Sequence, residues 1–358
     1  MKFSWTSRWL LVVLGLLFIF SSMAFSQLSP PPTRPETQLV VLCYHLINPG
    51  KKNIPYTLSP KQFEDQLDAL TAQGYRFVSL QEVDNFFYHN KPLPPKAAVI
   101  TFDDGNRSTY TNAYPILRAR NIPWTLFIYP TGIYAGPKRG FMSWSEVKEV
   151  AENGATIGCH SYWHPRLTDY AKEPDPDSWL NKQIAESRKL IEKRIGKPVQ
   201  AFAIPFGLWD RNVADKLREA GYRLVFNINN TNNNKDSDPM DLSRQIIGAN
   251  ESVGYFTSRI TPKRLSTASI GKQNLSIVET PELTLRISIP NADKYKPGEV
   301  FLREPRWGTI NLTLTNGQVE VPVKLTQPGQ YIPHVYARTT SGEKREASWS
   351  FVYRKRKS

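Results

Sequence analysis

Cysteine is nearly absent from this 358-residue chain. There are two, Cys43 and Cys159, beside only five histidines. Two cysteines exclude a disulfide-built scaffold and a zinc-ribbon array, so a metal centre would have to be made from histidine and carboxylates. Acidic charge is also short: 46 Lys+Arg stand against 32 Asp+Glu, a net charge of +14. There is no zinc-finger spacing and no RNA-binding signature, so the positive charge is not read as a nucleic-acid surface. What the chain does have is 40% hydrophobic and 12% aromatic residues. That is enough to bury a core and excludes global disorder. At roughly 100–200 residues per domain, the length predicts two domains.

Residues 1–26 have the pattern of an export signal. Lys2 and Arg8 form a charged head and Trp9 to Phe20 an apolar run, short of the about 20 residues of a membrane span. Small residues precede a cut after Ser26. Left uncleaved, the same segment would hold the protein at a membrane. Either way the expected location is outside the cytoplasm: periplasmic, cell-envelope or secreted. Cleavage would lower the net charge by two. Residues 27–38, rich in proline, read as a linker. Nothing in the sequence sets an oligomeric state.

From residue 39 short apolar runs alternate with helical patterns. The runs are 39–45, 76–80, 97–103, 125–130, 155–161, 200–206 and 223–228. Their continuous apolar character predicts buried parallel strands. Between them, Ser59-Pro60 opens a helix closed by Gly74, Ser143 or Ser145 opens another closed by Gly154, and residues 178–194 and 210–220 form two more. This alternation predicts an α/β barrel or a doubly wound sheet over residues 39–265. Asn229 to Asp241, polar and of low complexity, reads as a loop. Beyond residue 270 the period changes to two, with turns at Asn316-Gly317, Pro328-Gly329 and Ser341-Gly342. Residues 271–358 are expected to form a small antiparallel β-sandwich.

Three features carry chemistry. Asp103-Asp104-Gly105 ends a buried run, where two adjacent carboxylates are costly without a cation or a shared proton. His160 and His164, four apart at the end of another run, can face one metal ion. Together they offer two imidazoles and a carboxylate, a set suited to Zn²⁺ with Co²⁺ or Ni²⁺ as alternatives, and leave one carboxylate spare. Pro205-Phe206-Gly207 ends a later strand in a turn that can aim a backbone N–H into the same region. Sites in α/β folds assemble at such C-terminal strand ends.

In this order TFDDG, HSxxH and the Pro-aromatic-Gly turn resemble the NodB-type polysaccharide deacetylases, carbohydrate esterase family 4, over roughly residues 38–260. The resemblance implies a distorted (β/α) barrel with fewer than eight regular strands. It implies that Asp104, His160 and His164 hold a divalent metal, that Asp103 is the general base and that the Phe206 N–H stabilises an oxyanion. Two family features are missing. Ala203 stands where the family often has an arginine that orients the base, and no late histidine is available as general acid. His45, at the end of the first strand, is the expected substitute. An early Tyr-His with this alanine resembles the exported deacetylases of poly-β-1,6-N-acetylglucosamine. Peptidoglycan, chitin and acetylated xylan are alternative substrates, and an inactive sugar-binding barrel is the alternative of another class. Pro205, Tyr162, Trp163 and Trp209 are expected to contact the polysaccharide. Cys43 and Cys159 are expected to be buried thiols pointing to opposite faces of the sheet, and His89 a surface residue.

Overall fold

The computed structural model describes residues 36–50, 54–249, 251–266 and 274–355. The proposed signal and most of the proposed linker lie outside them. Among the described residues no helix is long and apolar enough to cross a membrane.

The N-terminal half winds parallel strands into a barrel. In chain order they are β1 (Gln38–Tyr44), a short pair β2 (Leu46–Ile47) and β3 (Thr57–Leu58), then β4 (Arg76–Phe77), β5 (Lys96–Phe102), β6 (Trp124–Ile128), β7 (Ala155–Cys159), β8 (Ala201–Ala203), β9 (Leu224–Phe226) and β10 (Gln245–Ile246). The sheet runs β10-β1-β5-β6-β7-β8-β9, with β4 beside the start of β5. Closure comes from residues 242–246: Leu242 bridges Phe226, and Gln245–Ile246 pair with Leu42–Cys43. This is the expected distorted (β/α) barrel.

Alternation along each strand sorts the barrel into two cores. Leu39 and Val41 of β1, Ala97 and Val99 of β5, and Leu224 and Phe226 of β9 pack together on one face. Val40, Leu42, Ala98, Ile100 and Phe102 face the helices. The inner register, continued upward, brings Cys43, Thr101 and Asp103 to the C-terminal rim. Cys159 belongs to the helix-facing core, and both cysteines are free and buried.

The helices begin where their caps dictate. Ser59 and Ser143 each close a capping box, with Gln62 and Glu146 three residues on, before α1 (Pro60–Ala72) and, later in the chain, the helix Trp144–Glu152. The helix expected over 178–194 runs from Pro176 to Ile195 and is interrupted by a π-turn at Lys182–Glu186. His89 caps the C-terminus of the helix Leu80–Tyr88 and is more than half exposed.

The C-terminal part has its own core, including Leu285, Leu302, Val335, Trp349 and Phe351. Its strands are β11 (Lys263–Arg264), β12 (Ile277–Val278), β13 (Glu282–Ser288), β14 (Tyr295–Glu304), β15 (Gly308–Asn311), β16 (Gln318–Lys324), β17 (Gly329–Tyr331), β18 (His334–Thr339), β19 (Lys344–Ser348) and β20 (Phe351–Tyr353). They form sheets ordered β11-β19-β18-β14-β15, β12-β20-β17 and β13-β16. Two details differ from expectation. Lys263–Arg264, read as part of the barrel, pairs with β19 in the C-terminal sheet. Both β11·β19 and β12·β20 are parallel, because segments arriving from the barrel add to strand edges rather than turning back as hairpins.

Candidate metal and catalytic centre

At the C-terminal rim, β5 delivers the two aspartates and β7 the two histidines. Four non-glycine residues here adopt left-handed backbone conformations: Asp104 (φ 73°), Ser161 (φ 68°), His164 (φ 61°) and Phe206 (φ 59°). Such strain persists only where surroundings over-determine it, and it clusters at functional sites. The 160–164 loop is held from two sides. Its own Ser161 Oγ accepts from the His164 N–H (2.9 Å). Gln183 Oε1, in the π-turn, accepts from the Tyr162 and Trp163 N–H groups (3.2 and 3.4 Å). A π-turn at a functional site is a recurring association.

His160 is buried, and its Nδ1–H donates to the Ala203 carbonyl at 2.8 Å. That bond fixes the tautomer and leaves Nε2 as a bare lone pair facing the site. His164 Nε2 lies 3.1 Å from His160 Nε2, and Asp104 Oδ1 lies 3.5 and 3.8 Å from the two nitrogens. Tetrahedral ligation at 2.0–2.1 Å requires ligand atoms about 3.3 Å apart. The three atoms therefore fit a divalent ion, and two opposed imidazole lone pairs have no other evident reason to converge. Burial lowers the pKa of His160 to about 3 and also lowers that of His164, so both are neutral donors at ordinary pH. Burial pushes Asp104 upward, an effect that a bound cation would oppose.

Asp103 does not share that environment. Arg244, completely buried, grips it with a bidentate fork: Nη1 to Oδ1 at 2.6 Å and Nη2 to Oδ2 at 2.8 Å. The guanidinium is itself fixed by Nε–H to the Asn227 carbonyl (3.1 Å) and by Thr101 Oγ1 (3.3 Å). Burial alone would raise the Asp103 pKa. The Arg244 charge, helped by His160, outweighs it and holds the carboxyl well below the usual carboxylate range. Cys43 Sγ adds a weak S–H bond to Oδ2 at 3.4 Å. With both oxygens engaged by Arg244, Asp103 is poorly placed to serve a second metal set with Cys43 and His45. Arg244 is the residue that sequence reasoning missed. It follows the Asn-rich stretch read as a plain loop, yet Asn232, Asn233 and Asn234 of that stretch are buried and hydrogen-bonded. Asn233 Oδ1 accepts from the Ser243 N–H, and its Nδ2 donates to the Ser243 carbonyl, at 2.9 and 2.8 Å.

The remaining expected residues divide. His45 reaches the rim, where its ring stacks on Tyr56 (5.0 Å, 29°) and its buried Nδ1 has no partner among the described residues. Phe206 is half exposed, with its ring 4.6 Å from that of His164, and its N–H has no acceptor among the described residues. Trp163 is exposed and Tyr162 half-buried, their rings 5.7 Å apart. Trp209 does not belong with them. It is fully buried in the helix-facing core, ahead of the Asp210 cap, and offers no ring face to a sugar. Pro205 is buried as well, so it shapes the turn and leaves the exposed surface to Phe206.

The fold and the rim define a distorted (β/α) barrel with a two-histidine, one-carboxylate centre and a separate arginine-held aspartate. Residues 90–225 match the polysaccharide deacetylase family. The matched segment carries both the aspartate pair and the histidine pair, so the barrel and its rim are similar to those of polysaccharide deacetylases. A poly-β-1,6-N-acetyl-D-glucosamine N-deacetylase of Staphylococcus aureus is 29% identical over 183 residues, 48% of this chain and 61% of the relative. The chain thus spans about three-fifths of the length of that relative. Among solved structures, IcaB from Ammonifex degensii is similar at 28% identity and TM-score 0.55, over 63% of this chain and 97% of that one. The deacetylase PplD of Streptococcus pyogenes shares the fold, at 23% identity and TM-score 0.57, over 63% of this chain and all of that one.

Proposed function

We propose that this protein is an exported, metal-dependent polysaccharide de-N-acetylase whose substrate is poly-β-1,6-N-acetylglucosamine. The observation that carries the reading is the division of labour between adjacent aspartates. Asp104 faces His160 and His164, while Asp103 is withheld for proton transfer by Arg244. Similarity to the Staphylococcus aureus enzyme supports the choice of polymer.

Asp104, His160 and His164 would hold the ion. When bound, it supplies a Lewis acid that polarises the amide carbonyl and acidifies water. Asp103, ionised throughout the working pH range, takes the proton of the attacking water at its carboxylate. Arg244 keeps that carboxylate oriented and ionised. The Phe206 N–H donates to the oxygen that becomes negative as the carbonyl carbon turns tetrahedral. His45 delivers a proton to the departing amine, with Tyr56 stacked on its ring to fix the approach. Trp163 and Tyr162 offer aromatic surface beside this point.

The inactive-barrel alternative rested on Ala203 in place of an orienting arginine and on the missing late histidine. Arg244, just before β10, holds Asp103 as such an arginine would and so speaks against the first ground, and His45 is the residue proposed to meet the second. Acetate release from a panel of β-1,6-linked N-acetylglucosamine oligomers, chitin oligomers, peptidoglycan fragments and acetylated xylan tests the proposal. Release chiefly from the β-1,6 oligomers is the expected result, and release chiefly from another substrate would reassign the polymer.

A further inference from the structure

The five-stranded C-terminal sheet has two unlike faces. Val300, Leu302, Val335 and Ala347 point into the C-terminal core. The alternate residues of the same strands line a cavity of about 1120 Å³ whose opposite wall is the barrel rim. That exceeds the ~300–1,000 Å³ typical of sites for drug-sized ligands. Phe301, Tyr336 and His334 form a ring ladder along this face. Phe301 and Tyr336 are 5.2 Å apart at 22°, and His334 and Tyr336 are 5.9 Å apart at 13°. Such a strip suits the apolar C–H faces of β-linked pyranoses.

Polar groups around the strip are left without partners. Gln330 Nε2 and Oε1, His334 Nδ1 and Glu346 Oε1 are buried and make no hydrogen bond among the described residues, and across the cavity the same is true of Asn229 Oδ1 and Glu251 Oε2. Buried unsatisfied groups are costly, and native folds keep few of them. These atoms are closed off from solvent, and it is the exposed polar side chains of the wall, Ser258, Arg303 and Lys344, that suit a ligand rich in hydroxyl and amide groups. The cavity also meets the catalytic rim. Tyr56 lines it and stacks on His45, and Gln245–Ile246 line it directly after Arg244.

We infer that this cleft binds the N-acetylated polysaccharide on its way to the catalytic rim, which makes the C-terminal domain a substrate-binding module. The inference rests on the deacetylase reading above. Its charge favours substrate over product. Glu251, Glu299 and Glu304 are paired with Arg259, Arg338 and Arg306, whereas Arg303 and Lys344 form no ion pair with any described residue. The wall is therefore cationic, and it disfavours a chain whose acetamides have become ammonium groups.

The test compares kcat/KM for acetate release from a β-1,6-linked N-acetylglucosamine hexasaccharide and disaccharide, using the full chain. Tyr336→Ala is expected to lower the hexasaccharide-to-disaccharide ratio about tenfold. Tyr255→Ala, at a more than half-exposed cavity residue that can be changed without disturbing a core, should lower it about threefold. The fully de-N-acetylated hexasaccharide should inhibit wild type weakly, and Arg303→Glu should tighten that inhibition at least threefold at low salt, less at high salt. Disaccharide turnover with an unchanged ratio in both tyrosine variants would overturn the cleft and spare the deacetylase reading. If no substrate releases acetate, that reading fails. Calorimetric titration of the N-acetylated hexasaccharide then decides the cleft alone: binding lost in Tyr336→Ala supports it, and no binding to wild type, or equal binding to both, overturns it.

Discussion

Replacing Arg244 by methionine removes the largest charge that offsets the burial of Asp103. Two charge-assisted hydrogen bonds, at 2.6 and 2.8 Å, are lost inside a dry pocket. Breaking a buried pair from one side costs about 3–5 kcal/mol, because the remaining charge is stranded. Asp103 can escape that cost by taking up a proton, since burial, no longer outweighed by Arg244, raises its pKa. The sign follows directly. In wild type Asp103 is ionised across the accessible range and contributes no acid limb to kcat/KM. In Arg244→Met an acid limb appears, with activity falling as pH falls through the raised pKa. Loss of orientation adds a drop of about 10²-fold that high pH does not restore. Arg244→Lys returns the charge without the fork, so its pH profile should move back towards wild type while kcat stays reduced. The assay is acetate release against pH, with circular dichroism confirming the fold. A folded Arg244→Met protein with the wild-type profile and kcat would refute the assignment.

Two further outcomes follow from the same geometry. His45→Ala should lower acetate release from an amide about 10²–10⁴-fold, the usual worth of a general acid. It should affect an aryl acetate ester far less, because that leaving group needs no proton; near-wild-type amide turnover in His45→Ala would exclude His45 as the acid. Glu346, pushed up by burial to about 8 from an ordinary 4.5, holds its proton in the native state across a window where the unfolded chain has lost it. Stability should therefore fall as pH rises from about 4.5 to 8, by at most about 4–5 kcal/mol. Glu346→Gln should flatten that slope in urea titrations, and an unchanged slope would place the titration elsewhere.

Much of this was legible in the residues, for identifiable reasons. β1, β5 and the helix caps at Ser59 and Ser143 are written in contiguous segments, and so are the aspartate and histidine pairs. Arg244 was hidden because it meets Asp103 across 141 residues of sequence, through barrel closure by a two-residue strand. The Asn-rich segment before it looked like a solvated loop because its composition is polar. Its asparagines instead satisfy buried backbone groups, an arrangement that composition cannot reveal. Trp209 misled for the converse reason. An aromatic just past a rim turn looks like a sugar platform, but the turn points Phe206 outward and buries Trp209 before the next helix. The C-terminal strands were visible from their alternation, whereas the use of one sheet face as a cavity wall depends on a partner distant in sequence.

Acetate release from the β-1,6-linked N-acetylglucosamine hexasaccharide by the full chain, stripped with a chelator and then reloaded with Zn²⁺, tests the central claim most directly. The expected result is no release from the stripped protein, recovery as about one equivalent of metal binds, and no recovery in Asp104→Ala. Undiminished release by the metal-free protein, or full recovery in Asp104→Ala, would contradict it.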